Sequence, residues 1–339
     1  MTENEEWSAI AALLLQWHGH AARVLPWRTW RSLYGTVLSE FMLRQTRVVT
    51  AIPYYLRWME RFPDFRSVAE ADEKELLCLW SGLGYYGRVR QLRQLSIAIC
   101  DSEFPPVSPD EWQKFPGVGP YCAAAIAAIG QKYDVIALDG NGIRILCRLG
   151  GTGPFPSRSA AERALRPAAD ALAIPGRCDR ICEALMDLGS GHCRARRPHC
   201  AACPLRSRCA VVQRRLVPED FPKFPAPKCG KEERRRLWLR DDRGLWLTIG
   251  SGSRLSGLYE LPILPVGMGV GPVLRTIRRR ISSINYIETV HCADGRPGEL
   301  LAALRSDGQE VHPCSCRELE RLPISGPHGR CIADILANG

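Results

Sequence analysis

No stretch of this 339-residue chain approaches the roughly 18 consecutive apolar residues of a membrane span, so nothing in it reads as membrane-crossing. From Met1 to Gln16 there are three acidic residues, Glu3, Glu5 and Glu6, and no basic one. That is not the basic, apolar, small-residue order of a secretory leader. The 15 cysteines are odd in number and mostly scattered through apolar helical stretches, which argues for reduced thiols and a cytoplasmic protein, not a disulfide framework. No strong internal repeat is visible. No alternating strand pattern occurs before about residue 235, so the longer N-terminal part reads as all-α. What is in surplus is positive charge: +10 net with a pI of about 9.0, which suits a polyanionic partner, although many basic proteins bind no nucleic acid. The length calls for two or three domains.

The stretch from Phe115 to Asn141 organises the reading. Gly117 and Gly119 sit in a tight Pro-Gly-x-Gly turn where backbone N–H groups can approach another molecule. Pro120 suits the first helical position, and an Ala-rich helix should run to Ile129 and stop at Gly130. A glycine turn opening a helix is a ready phosphate site. Asp139 then precedes a second apolar helix, Ile143 to Leu149. One segment thus offers a phosphate clamp and a carboxylate, or, more plainly, a loop between core helices with Asp139 as a helix cap.

Around it, Glu5 to His20 reads as an amphipathic helix broken by Leu25-Pro26-Trp27-Arg28. Thr36 to Ala51 reads as a second helix, with Val37, Leu38, Phe41, Met42, Val48, Val49 and Ile52 as its buried stripe. Glu40 and Arg44 lie beside that stripe, either as a functional pair or as a solvated i, i+4 ion pair. Further helices are expected over 52–61, 72–80, 157–173 and 180–188. The turn Gly82 to Gly87 carries Tyr85 and Tyr86, one of them expected in the core, while an aromatic there could also lie against nucleic acid. Residues 217–234, with four prolines among charges, read as a linker. From 235 on, a hairpin around Asp241 to Gly244, strands at Gly257 to Pro262 and Ile284 to His291, and a closing helix over Pro327 to Asn338 make an α+β domain.

Cys193, Cys200, Cys203 and Cys209 give C-x6-C-x2-C-x5-C, four thiols within seventeen residues, better suited to an iron–sulfur cluster than to two zinc knuckles. Seven arginines and no acid lie between Cys193 and Arg215, a pattern for phosphates or a solvated basic face.

Residues 25 to about 215 resemble the helix-hairpin-helix DNA glycosylases with an iron–sulfur loop, and within them the MutY-type adenine glycosylases. The resemblance is carried by Leu25-Pro26-Trp27-Arg28, Leu38-Ser39-Glu40-Phe41-Met42-Leu43-Arg44-Gln45-Thr46, Gly82-Leu83-Gly84-Tyr85-Tyr86, Phe115-Pro116-Gly117-Val118-Gly119, Leu138-Asp139-Gly140-Asn141, Met186-Asp187-Leu188-Gly189 and the four cysteines. It implies a mainly α, two-lobed glycosylase domain over 1–216 with an iron–sulfur loop at 193–209. A linker at 217–234 and a smaller α+β, Nudix-like domain at 235–339 would follow. Gly257 to Pro262 fits that module. No Nudix hydrolase box is visible, and Tyr286 to His291 is the nearest candidate for the loop that reads oxidised guanine in relatives.

The resemblance also implies a chemistry: excision of adenine mispaired with 8-oxoguanine or guanine in double-stranded DNA. Glycosidic cleavage passes through a cationic sugar, so the leaving base wants a proton and the sugar an anion. By resemblance Glu40 protonates adenine at N7 and Asp139 steadies the cation, with Tyr121 assisting at the sugar and Asn141 placing the carboxylates. Arg28, Arg44, Gln45, Thr46, Tyr85, Gly117, Gly119 and Glu183 fall at base- or DNA-contacting positions. Arg44, in place of a common Gln, is expected to face the DNA, since a charge turned inward would oppose a protonated Glu40. Tyr121 stands where strand-cleaving relatives carry a Schiff-base lysine, so the reaction should be monofunctional. A [4Fe-4S] cluster on Cys193, Cys200, Cys203 and Cys209 is implied, as is a monomer of bacterial type at the nucleoid. A thymine or uracil mismatch glycosylase, or a non-catalytic iron–sulfur DNA-binding protein, is the competing reading.

Overall fold

The computed structural model describes residues 3–226, 229–250, 257–265, 267–269, 271–281, 283–294 and 297–338. Its contacts divide the chain into two units, Met1–Ala69 with Gln91–Ala226 and Glu70–Arg90 with Pro227–Gly339. Among the described residues no helix is long and apolar enough to cross a membrane.

In chain order the helices are α1 (Glu3–Ala21), α2 (Pro26–Thr29), α3 (Leu33–Leu43), α4 (Val48–Arg61), α5 (Phe65–Glu70), α6 (Glu73–Trp80), α7 (Gly87–Cys100), α8 (Pro109–Trp112), α9 (Pro120–Ala125), α10 (Gly140–Gly150), α11 (Arg158–Ala171), α12 (Cys178–Gly191) and α13 (Ala210–Gln213). The single helix expected over 36–51 is two. The chain leaves helical geometry at Arg44, and Gln45 takes a left-handed backbone, φ 59°, before α4 begins. Val49, assigned to the buried stripe, is 81% exposed because the turn rotates it outward. The Ala-rich helix does reach Gly130, but its last turn, Ile126–Gly130, is a π-turn, a wider winding that the sequence did not suggest.

The core of the first unit lies where α1, α10, α11 and α12 meet. Ile10, Leu14, Ile143, Leu146, Ile181, Leu185 and Leu188 form one buried cluster, each such side chain contributing about 1.5–3 kcal/mol on burial. On another face of α12, Asp179, Glu183 and Asp187 recur at four-residue spacing, all buried. Arginines answer them: Arg31 and Arg180 at Asp179 and Glu183, Arg28 between Glu183 and Asp187, and Arg23 at Asp187. The buried acids thereby fasten the 23–31 segment to α12.

The second unit is α+β. A three-stranded sheet runs β1 (Gly230–Trp238), β6 (Ile284–Cys292), β5 (Val273–Ile281), with β1 and β6 parallel and β5 antiparallel to β6. A second sheet joins β2 (Arg240–Asp241), β3 (Gly244–Ile249) and β4 (Tyr259–Glu260), and β7 (Val311–Cys314) pairs with β3. Helices α14 (Pro297–Ser306), α15 (Cys316–Leu319) and α16 (Gly326–Asn338) complete it. The tight hairpin at Asp241 to Gly244 is present. Leu237 and Trp238 pair with β6 instead of continuing that hairpin, because β1 already starts at Gly230, inside the stretch read as linker. Tyr286 to His291 is the central strand, paired on both sides and not a loop, since alternate residues point into the core. In the 82–87 turn, Tyr86 is buried, its hydroxyl donating to Ile324 O at 3.2 Å, and Tyr85 is 56% exposed.

Five charged or titratable side chains are buried together here. Arg236 Nε and Nη2 bind Glu288 at 2.8 and 2.6 Å, and Arg279 reaches both Glu260 and Glu288. His328 takes the Leu261 N–H on Nδ1, so its proton sits on Nε2, 3.2 Å from Glu288. Burial works against the charged carboxylates. The Arg279, His328 and Arg236 contacts outweigh it and bring Glu260 from an ordinary 4.5 to about 2, and those of His328, Arg236 and Arg279 do the same for Glu288. Depressed carboxylates stabilise the fold above their unfolded pKa, so this contribution is complete above about pH 4.5 and drains away towards pH 2. Glu288→Gln is expected to cost about 3–5 kcal/mol, because Arg236 and Arg279 lose their shared anion, and to flatten the acid limb of the stability curve. Urea unfolding at pH 7 and pH 3 checks both; an unaltered midpoint would refute the assignment.

Candidate active site

Glu40 lies on α3 among the apolar residues of that helix, with 6% of its surface exposed. Its hydrogen-bond partner is the Tyr121 hydroxyl, from the first turn of α9. Burial pushes the Glu40 carboxyl from 4.5 up to about 7, and the negative charge of Asp139 adds to this. The Tyr121 hydrogen bond and the cations Arg44 and Arg28 pull the other way. A carboxyl that titrates near neutrality can hold a proton and release it to a base. The reading of Glu40 and Arg44 as a solvated surface pair does not survive this burial.

Asp139 is the N-cap of α10, accepting from Gly142 N–H at 2.7 Å, so the plain cap reading holds as geometry. Its second oxygen takes a 2.7 Å bond from Asn141 Nδ2. Asn141 is held in turn by Arg144, whose Nη2 donates to Asn141 Oδ1 and to Gly189 O, both at 2.8 Å, and whose Nε donates to Cys193 O at 2.8 Å. A side chain on Gly189 would collide with Asn141. The close fit of Asn141 on α12 therefore explains the glycine of Met186-Asp187-Leu188-Gly189. The aspartate of that segment anchors Arg23, Arg28 and His18.

Glu40, Tyr121, Asp139 and Asn141 are thus drawn into one electrostatic neighbourhood, with Asp139 bearing on both Glu40 and Tyr121. Arg44 is placed otherwise than expected. It turns towards Cys122, donating from Nη2 to the thiol at 3.0 Å, and lies 4.2 Å over the Phe41 ring, near enough to bear on Glu40. Arg28 is held inside by Asp187 at 2.7 and 3.1 Å, and Glu183 by Arg31 at 2.8 and 2.9 Å. Both are committed to the ion-pair ladder. Gln45 and Tyr85 are exposed and left-handed, φ 59° and 50°, a conformation that costs a non-glycine residue energy and tends to persist where function requires it. Thr46 packs back on Arg44 O at 3.5 Å. Gly117 is also left-handed, φ 74°, and a Cβ there would meet Gln91; Gly119 caps α9 in open space.

The sequence reading missed Arg144, Arg148 and Cys122. The two arginines recur one turn apart on the polar side of α10, immediately after Asn141, and that spacing was the available signal. Arg148 is buried, donating to Arg194 O and Ala195 O at 2.7 and 3.1 Å and to Pro218 O and Phe221 O at 2.9 and 3.0 Å. It thereby ties the start of the cysteine-rich loop to the segment that follows α13. Arg148 Nη1 stands 3.4 Å from Cys193 Sγ. Among the described residues no three His, Cys, Asp or Glu side chains are placed to hold a single metal ion. The thiols of Cys193, Cys200, Cys203 and Cys209 are nonetheless free of disulfides and neither fully buried nor fully exposed. They lie near enough that burial and mutual repulsion raise Cys203 to about 11, and Cys200 and Cys209 upward as well.

Residues 38–169 match the family described as HhH-GPD superfamily base excision DNA repair protein. The adenine DNA glycosylase of Mus musculus is 37% identical over 218 residues, covering 61% of this chain and 42% of its own length. That of Schizosaccharomyces pombe is 36% identical over 230 residues, covering 61% and 50%. The chain thus spans about half or less of the length of these curated relatives. Among solved structures, a thermostable thymine-DNA glycosylase superposes with a TM-score of 0.56 at 22% identity, over 62% of this chain and 98% of that one, a likeness of fold. Residues 38–169, which match the HhH-GPD description, hold Glu40, Tyr121, Asp139 and Asn141, and the chain is similar to the adenine DNA glycosylases over about three fifths of its length.

Proposed function

We propose that this protein is a monofunctional adenine DNA glycosylase of base excision repair, hydrolysing the N-glycosidic bond of adenine mispaired with 8-oxoguanine or guanine. The observation that carries the reading is the Glu40 carboxyl, buried, bonded to a neutral phenol, and titrating near 7 beside the Asp139 carboxylate. An adenine flipped from the duplex leaves as a neutral base once its N7 is protonated, and Glu40 is the acid placed to do so. Asp139, fixed by Gly142 and Asn141, stays available to face the cationic sugar. Tyr121 cannot form an imine, so the sugar is left as an abasic site with the strand uncut. A pyrimidine leaving group has no N7 to protonate, and that favours adenine over thymine or uracil.

Double-stranded DNA is the partner in this reading. Gln45 and Tyr85, each exposed in a strained turn, would probe the stack, the Gly117–Gly119 turn would take a phosphate, and the seven arginines from 194 to 215 would follow the backbone. Cys193, Cys200, Cys203 and Cys209 would hold a [4Fe-4S] cluster. Four half-buried thiols on a loop whose own residues include no acid, and the Arg148 guanidinium at Cys193, fit that anionic group. When bound, it would staple the arginine-rich loop in place. The C-terminal unit is read as Nudix-like on its mixed sheet flanked by helices.

Purified protein incubated with duplexes bearing adenine or thymine opposite guanine or 8-oxoguanine, then treated with alkali, should cleave at adenine alone. Glu40→Gln and Asp139→Asn should each abolish release; thymine release, or none from any duplex, would overturn the reading. Since the acid must be protonated, the rate should hold below about pH 7 and fall above it. Gly189→Ala, which pushes Asn141 off its seat, should lower the single-turnover rate by roughly 100-fold and, by overpacking the α10–α12 contact, cost about 1–3 kcal/mol of stability in urea unfolding. Iron analysis of protein purified without air should find about four irons per chain, lost together with the visible absorbance in Cys200→Ala.

A further inference from the structure

Two consecutive residues of α9 reach two residues of α3. Tyr121 gives its hydroxyl to Glu40, and Cys122 takes the 3.0 Å hydrogen bond of Arg44. Phe41 closes the other side of the guanidinium, its centroid at 4.2 Å. Arg44 follows Glu40 by four residues at the end of α3, so a cation gripped in this way sits about one helical turn from the carboxyl. An arginine on an open helix face sweeps through solvent, where its field is screened; this one is clamped by a buried thiol and a ring.

We propose that Arg44, held by Cys122 and Phe41, is a positioning residue for the proton of Glu40, and that its fixed charge sets the upper pH limit of base excision. The proposal rests on reading Glu40 as the acid. The groups facing Glu40 are Arg44 on its own helix, Arg28 from α2, Tyr121 and Cys122 from α9, and Asp139 ahead of α10. Arg28 is bound to Asp187, and Asp139 to Gly142 and Asn141. Burial raises the Cys122 thiol to about 11, so near neutrality it grips Arg44 as an uncharged group without cancelling its charge. A thiol in this place anchors the cation, whereas a carboxylate would have neutralised it.

The test uses the full chain with Arg44→Gln, Arg44→Lys, Cys122→Ala and Cys122→Ser. Single-turnover adenine release is followed against pH. In parallel, the protonated-carboxyl infrared band that Glu40→Gln removes is titrated. Arg44→Gln should carry the upper limb about 1 pH unit higher, and Cys122→Ala should move it the same way by less. Arg44→Lys, which keeps the charge, and Cys122→Ser, which keeps an acceptor, should stay with the parent. A limb unmoved or lowered in Arg44→Gln overturns the inference, as does an equal shift in Arg44→Lys. Should the parent release no adenine, the functional reading has failed, and the infrared titration still decides: a band surviving to higher pH in Arg44→Gln upholds the role of Arg44, an unchanged one refutes it. Should Arg44→Gln not fold, Cys122→Ala against Cys122→Ser carries the same comparison.

Discussion

One carboxyl group kept out of water governs this molecule. Glu40 is surrounded by the apolar residues of α3 and meets a neutral hydroxyl as its hydrogen-bond partner, and desolvation exceeds every opposing charge in setting its proton affinity. Had Arg44 or Arg28 paired directly with it, the carboxyl would be an anion at neutral pH and useless as an acid. Each arginine is instead held by something else, a thiol in one case and Asp187 in the other. The acid survives because burial outweighs cations that are held off from pairing with it directly.

The second carboxylate is fixed by hydrogen bonds. Asp139 caps a helix, and its oxygens are tied to Gly142 and Asn141. Two acids side by side thus have different surroundings, one kept from water and one bound by hydrogen-bond donors. From Asp139 the bonding continues through Asn141 to Arg144, and from there to the carbonyls of Gly189 and Cys193. Arg148, one turn further along α10, holds the next carbonyls of the cysteine-rich loop. A single helix therefore carries both the order of that loop and the aim of the carboxylate, and the ladder of buried acids on α12 keeps its packing partner in place.

In the second unit the same device serves stability. Glu260 and Glu288 are buried at full charge because two guanidinium groups from β1 and β5 and His328 from α16 surround them. Such a cluster is unforgiving, since removal of any one charge strands the others in a medium that cannot solvate them.

Local regularity made much of this readable in advance. Apolar periodicity located α1, α10 and α12. Proline marked the start of α9, glycine the end of the π-turn that follows it, and the clustered cysteines marked their loop, while the pairing of Glu40 with Asp139 was an expectation from family resemblance. The periodicity, the turn residues and the cysteine spacing are statements about neighbours in the chain, and propensity and spacing decide them. Other features were not legible: Arg28 and Glu183 as rungs of an ion-pair ladder, Arg44 turned to Cys122, the break at Gln45 that exposes Val49, the placing of β1 beside β6, and the part played by Arg144. Each depends on which side chain from a distant segment arrives opposite. A guanidinium has the same composition whether it meets a phosphate, a thiol or a buried carboxylate, and only packing selects among them. The sequence alone determined which acidic and basic groups the chain carries; the tertiary structure decided which of them water could still reach, and so how firmly Glu40 holds its proton.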